Sequence, residues 1–172
     1  MEHTIKLSTG NNVVDSVISA AGREPFRLKE PVRRKLGRMV DDVIIVPVSE
    51  PTYWVSHMLV SSNADGDVCI VLDLSNLNKA VLRQHFSVPT VAQFFAKIGK
   101  AKFLCSLNAE QGFYKIPLSE ESSYFCTMAT PWGRYRFLRM SFGLKSAPEV
   151  YLILCRSCLV IFKVLLCTSM AF

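Results

Sequence analysis

Twice in this chain, two runs of strand-forming residues flank a short stretch built for a turn. Tyr53–Ser61 and Val68–Leu72 enclose Asn63-Ala64-Asp65-Gly66-Asp67, and Tyr124–Thr130 and Arg134–Met140 enclose Pro131-Trp132-Gly133. Asp-Gly is a favoured hairpin dipeptide, so the first unit reads as an antiparallel hairpin, and strand alternation around Pro131-Trp132-Gly133 makes the second unit another. Whatever else the chain forms must attach to those two ribbons.

Helical periodicity occupies the segments between them. From Pro31 the apolar residues Val32, Leu36, Met39, Val40 and Val43 recur at helical spacing, and Pro31 suits a first turn. Arg33, Arg34, Lys35 and Arg38 face elsewhere on that helix. They are candidates for phosphate contact, although a solvated helix face is the commoner use of such a cluster. Ile44–Val48 is an apolar run ended by Pro47 and Pro51. Asp73 to Asn78 reads as a polar turn around two leucines. Pro89-Thr90 opens a second helix with Val91, Phe94, Phe95 and Ile98 on one side, and Gly99 ends it. Ser146-Ala147-Pro148-Glu149 has capping-box spacing, so a further helix starts there. Residues 1–23 are polar without a clear period and read as a loose leader.

Phe103–Leu118 is the stretch with chemical promise. It runs as a short apolar strand into a polar turn at Asn108, then through Gly112-Phe113 to an Ile-Pro-Leu exit. Many folds deliver a metal ligand to a sheet edge in this way, while most strand-end asparagines only bond their own backbone. Composition narrows the context. Half of the residues are hydrophobic and the net charge is +6, which suits a buried core and is compatible with a polyanionic partner. Six cysteines form no regular framework and no apolar leader precedes them, which suggests reduced thiols in an intracellular, cytoplasmic or nuclear, setting. Cys155 and Cys158 form a C-x-x-C pair without the further ligands that a zinc site needs.

From Val150 to Phe172 the chain turns apolar. The length would suit a membrane span, but Arg156 and Lys163 lie inside it, and each costs about 2.5–3.5 kcal/mol near a bilayer centre. A membrane is therefore the less expected partner.

Taken in order, these pieces resemble the fingers and the first half of the palm of a reverse transcriptase of the Ty3/gypsy LTR-retrotransposon type. The likeness runs from about Glu24 to Tyr151. It rests on the motifs beginning at Val46 (Val-Pro-Val-Ser-Glu-Pro-Thr-Tyr-Trp), Leu72 (Leu-Asp-Leu-Ser-Asn-Leu-Asn-Lys), His85 (His-Phe-Ser-Val-Pro-Thr), Ser106 (Ser-Leu-Asn-Ala-Glu-Gln-Gly-Phe-Tyr), Thr130 (Thr-Pro-Trp-Gly-Arg-Tyr) and Ser141 (Ser-Phe-Gly-Leu-Lys-Ser-Ala-Pro). The resemblance implies an α+β fold of right-hand polymerase fingers and an incomplete palm. It divides the chain into a leader (1–23), a fingers-like region (24–101), a partial palm with a fingers-type hairpin (102–151) and an apolar tail (152–172).

In that family Mg²⁺ ions held by carboxylates clamp the reacting oxygens of a nucleotidyl transfer. The resemblance puts the first of these carboxylates at Asn108, in Leu107-Asn108-Ala109. An amide keeps the shape of a carboxylate and loses its charge, and losing one member of such a unit costs on the order of a thousandfold or more in rate. The family's Tyr-x-Asp-Asp string does not occur in the chain. Its phosphate-binding cations would fall at Asn63, Ala64, Cys69 and Ser75, none of which is basic. Phe113, Phe142 and Gly143 match the nucleotide pocket, with core packing an equally good account of the two rings, and Asp73 matches the acidic residue of the fingers. The expectation is a chain without an intact metal site, binding no cofactor itself, whose active relatives use Mg²⁺.

Arg134, Arg136 and Arg139, with the arginines and the lysine near residue 35, are the candidate contacts to an RNA or DNA template-primer. The abrupt end of the likeness near Tyr151 suggests a displaced reading frame. Shifted by one base, the codons of Thr168, Ser169 and Met170 allow Tyr-Ile-Asp, followed by Gly in place of the second aspartate. Three functions stay in view: an inactive reverse transcriptase domain, a non-catalytic nucleic-acid-binding module and a small membrane-anchored protein.

Overall fold

The computed structural model describes residues 2–7, 17–19, 26–62, 68–82, 92, 96 and 109–160. A 3-10 turn, Phe26–Leu28, leads into helix α1, Lys29–Asp41, whose Val32, Leu36 and Met39 are buried. Val43 is not part of that apolar stripe. It lies beyond the helix at φ 56°, where its N–H donates to Val40 O (3.0 Å) while Ile44 N–H donates to Met39 O (2.9 Å). That pair of bonds closes the helix end in the manner usually left to glycine.

Five strands follow: β1 Ile45–Val48, β2 Ser56–Ser62, β3 Val68–Asp73, β4 Thr127–Thr130 and β5 Gly133–Phe137. They form one mixed sheet in the order β1-β5-β4-β2-β3. Pairing is antiparallel throughout, except that β2 and β4 run parallel with Ser56 opposite Met128 and His57 opposite Ala129. Both expected hairpins are present, the first with His57 opposite Asp73 and the second with Thr130 opposite Gly133. The turn 63–67 lies outside the described residues. Pro47 sits on β1, an outer strand of this sheet, where a missing N–H is tolerated. Ile45 and Phe137, opposite each other on β1 and β5, are 1% and 0% exposed and join Val32, Ile70, Leu72 and Met128 in the core.

Three short elements depart from the sequence reading. Asp73–Asn78 is not merely a turn, because Ser75–Ala80 forms helix α2. Its first backbone N–H donates to Asp73 Oδ1 at 3.1 Å, which supplies an acceptor for the helix start. Tyr124 and Phe125 belong to helix α3, Glu120–Phe125, so β4 begins only at Thr127. The strand through Arg134 ends at Phe137, leaving Leu138–Met140 outside it. Helix α4, Ala147–Val160, starts where the capping-box spacing predicts, yet Ser146 Oγ is buried without a hydrogen-bond partner among the described residues. Of the helix expected at 89–99, only Ala92 and Ala96 are described, and both are helical.

The beginning of the chain is not loose where it is described. Ile5 is 4% exposed in the core, His3 bridges to Leu118, Leu7 to Val81 and Ile18 to Val55. Among the described residues no helix is long and apolar enough to cross a membrane.

Candidate functional site

Four segments meet beside the end of β3. A second 3-10 turn, Gly112–Lys115, is entered through Gln111 in the left-handed region at φ 51°. A Cβ on Gly112 would lie 2.7 Å from Tyr151 Cε2 on α4, so any larger residue there would push the Tyr151 ring aside. Phe113, which follows, meets Phe142 edge-on with ring centroids 4.9 Å apart, and Tyr151 at 5.6 Å. Tyr114 adds a third edge contact, 5.5 Å from Phe142. Burial, and then the nearby Cys69, push the Tyr114 phenol above its ordinary range, so that it stays neutral.

Gly143 completes the corner. Its φ is +93°, and a Cβ would lie 2.5 Å from the Leu72 carbonyl oxygen on β3, so the loop passes the strand at a distance that only glycine allows. Asn78 on α2 fastens this loop from below, donating through Nδ2 to Gly143 O (2.8 Å) and accepting from Lys145 N–H through Oδ1 (2.8 Å). The structure thus brings together Phe113, Phe142 and Gly143, three residues singled out from the sequence. It adds Asn78, Tyr114 and Tyr151, which were not. Asn78 lies inside the Leu72 motif and Tyr151 at the end of the likeness, but only their partners across the fold, Gly143 for the one and Phe113 for the other, give them a role.

Asn108 lies outside the described residues, as do Asn63 and Ala64. The described corner offers ring carbons, amides and one carboxylate, Asp73, which accepts both the N–H and the Oγ–H of Ser75. These bonds hold the Asp73 carboxyl below its usual range. A divalent cation that favours several hard, anionic oxygens does not fit that donor set.

The basic residues divide into two groups. Arg33, Arg34 and Arg38 are exposed on α1 and Lys35 is half-buried. Glu30, Arg34, Arg38 and Asp41 share one face of the helix at three- and four-residue steps, so acids interleave the arginines there. The β5 arginines are turned inward. Arg134 donates to Ser49 O (3.0 Å) and Thr52 Oγ1 (3.4 Å). Arg136 donates to Ser123 Oγ (2.6 Å) and lies 4.3 Å over the Tyr124 ring, whose hydroxyl donates to Glu50 (3.3 Å). Arg139 is half-buried and bridged to Pro117.

No protein-family model matches the chain. Among curated proteins it is 31% identical over 134 residues to the retrovirus-related Pol polyprotein of transposon 412 and 26% identical over 154 residues to that of transposon opus, both from Drosophila melanogaster. These alignments cover 75% and 88% of the chain but only 11% and 15% of the polyproteins. Among solved structures, prototype foamy virus protease-reverse transcriptase superposes with a TM-score of 0.77 at 17% identity, over 93% of this chain and 21% of that one. The foamy viral enzyme in complex with an RNA/DNA hybrid gives 0.70 at 13% identity, over 90% and 20%. The collinear motifs, the mixed sheet with its aromatic corner and these likenesses agree: the chain is a relative of part of the Ty3/gypsy-type retrotransposon Pol polyproteins, and it has the fold of the foamy virus reverse transcriptase.

Proposed function

We propose that the chain is a reverse transcriptase domain descended from an RNA-directed DNA polymerase and catalytically silent as written. The observation that supports this reading is a closely packed corner at the residues that the resemblance assigns to the nucleotide pocket, beside uncharged residues at the positions it assigns to metal and phosphate binding. Phe113, Phe142 and Gly143 pack closely beside β3, while the position of the first metal-binding carboxylate is held by Asn108 and the positions of the phosphate-binding cations by Asn63, Ala64, Cys69 and Ser75. Phosphoryl transfer relies on electrostatic positioning more than on covalent chemistry, so a scaffold without those charges loses most of its catalytic means. Primer extension on an RNA or DNA template, supplied with Mg²⁺ or Mn²⁺, is expected to stay at background. Template-dependent synthesis by this chain alone would overturn the proposal.

A second reading, a non-catalytic nucleic-acid-binding module, draws support from the exposure of Arg33, Arg34 and Arg38 on α1. Foamy viral relatives of the fold have been solved with double-stranded DNA and with an RNA/DNA hybrid. Filter binding of a template-primer across a salt series tests it, since phosphate contacts give a steep loss of affinity with salt. Retention that barely responds to salt would count against it.

A further inference from the structure

The segment from His3 to Leu7 crosses the molecule as a strap. His3 N–H donates to Pro117 O (2.8 Å) and His3 O accepts from Ser119 N–H (2.9 Å). Ile5 N–H donates to Ser122 Oγ (2.8 Å), Ile5 is buried in the core, and Lys6 O accepts from Leu82 N–H (2.8 Å). Its two ends therefore hold the exit of the Gly112–Lys115 turn and the end of α2, the two elements that supply Phe113 and Asn78. One polar atom in the strap is unserved: His3 Nε2 is buried without a hydrogen-bond partner among the described residues.

We propose that this strap is a proton-operated latch, docked while His3 is neutral and released when the imidazole is protonated. A neutral ring leaves one nitrogen unsatisfied, which a half-buried site tolerates. An imidazolium there must donate from both nitrogens and carry a charge with no acceptor for Nε2 among the described residues, whereas in the released strap water serves both. Among the described residues, the charged side chains on the strap and the segments around it are Glu2, Lys6, Lys79, Lys115, Glu120, Glu121 and Arg139. None of them governs the ring, since burial alone holds His3 below the usual histidine range. The sign follows from that direction. The released strap takes up a proton more readily than the docked one, so docking weakens as pH falls through about 6.5, the value of a free histidine, and levels off below the docked value.

The amides of Ser119 and Leu82 report the latch directly, because their acceptors lie on the strap, whereas Phe137 N–H, bonded to Cys126 O at 3.1 Å, reports the sheet. Hydrogen exchange followed by NMR on the full chain, at about pH 7.5 and about pH 5 on either side of the free histidine value, is the test. After correction for the intrinsic pH dependence of exchange, Ser119 and Leu82 are expected to lose protection at the lower pH while Phe137 keeps it. His3→Phe is expected to stay docked at both values, and His3→Lys to be released at both. The proposal is overturned if Ser119 and Leu82 follow Phe137 at both pH values, or if His3→Phe releases on acidification like the native chain. A His3 ring that titrates at about 6.5 while Ser119 remains protected overturns it as well, and that measurement needs no variant. The latch is independent of whether the chain polymerises.

Discussion

At φ 56° and 55% exposed, Val43 sits in the left-handed region where a Cβ crowds the following carbonyl, at a cost of about 1–2 kcal/mol for an ordinary residue. Because its side chain packs little, Val43→Gly gives that cost back, less the extra entropy glycine loses on folding, and is expected to raise stability by about 1 kcal/mol in urea unfolding. Gly143→Ala has the opposite sign. Its positive φ and the Leu72 carbonyl leave no room for a Cβ, so a loss of about 2–3 kcal/mol and a weakened Phe113–Phe142 packing are expected. Asp73 gives a pH signature. Its carboxyl is held below the usual range mainly by the Ser75 hydroxyl, so the stability it lends is present above the ordinary value of about 3.9 and is lost as pH falls through the lowered folded value. The unfolding midpoint of Asp73→Asn should lie below that of the native chain at neutral pH and converge with it in acid. None of these three roles was legible in the sequence. Val43 reads as one more apolar residue four after Met39, and only the closing bonds of the helix take it out of the stripe.

Asn78 ties two elements together, and it shows why some of them escaped the sequence. Helix α2 has six residues, too few to display a period, and its stability comes from Asp73 at its start and from buried Leu77 and Ala80. Asn78→Ala removes both bonds to the Gly143–Lys145 loop and is expected to cost about 1–3 kcal/mol, with Asn78→Asp nearly as harmful because Gly143 O loses its donor. Broadening or loss of the Phe142 ring signals in NMR would locate the damage in that loop. The two hairpins were readable because turn and strands are contiguous. The parallel pairing of Ser56 and His57 with β4 was not, since it joins residues about seventy positions apart and leaves no local pattern. The strap was missed for a related reason: Ile5 and Leu7 alone give too short an alternation to mark a strand, and the partners that hold it, such as Ser122, lie far along the chain. The corner itself was half legible, its aromatic residues by motif and their mutual packing only by fold.

Across the whole molecule, a net charge of +6 does not say where a polyanion would sit. The arginines on β5 already have partners: Arg136 is stacked on Tyr124 and bonded to Ser123, and Arg134 pins the loop through Ser49 and Thr52. Moving either guanidinium to a phosphate would break interactions that join β5 to α3 or to the segment after β1. The α1 arginines have no such engagement to give up among the described residues, although Glu30 and Asp41 on the same face dilute their field. Two substitution pairs therefore separate structural from electrostatic use. Arg34→Ala with Arg38→Ala should leave the urea midpoint nearly unchanged and, if template-primer binding runs through α1, lower the slope of log affinity against log salt by about 2, one for each phosphate no longer neutralised. Arg134→Ala with Arg136→Ala should instead lower stability by about 2–3 kcal/mol, through the missing hydrogen bonds and the missing cation–π stacking, with little change in slope. A salt slope that drops for the β5 pair and not for the α1 pair would show that the inward-turned arginines let go of their partners to meet the nucleic acid, and it would move the interface from the helix to the sheet.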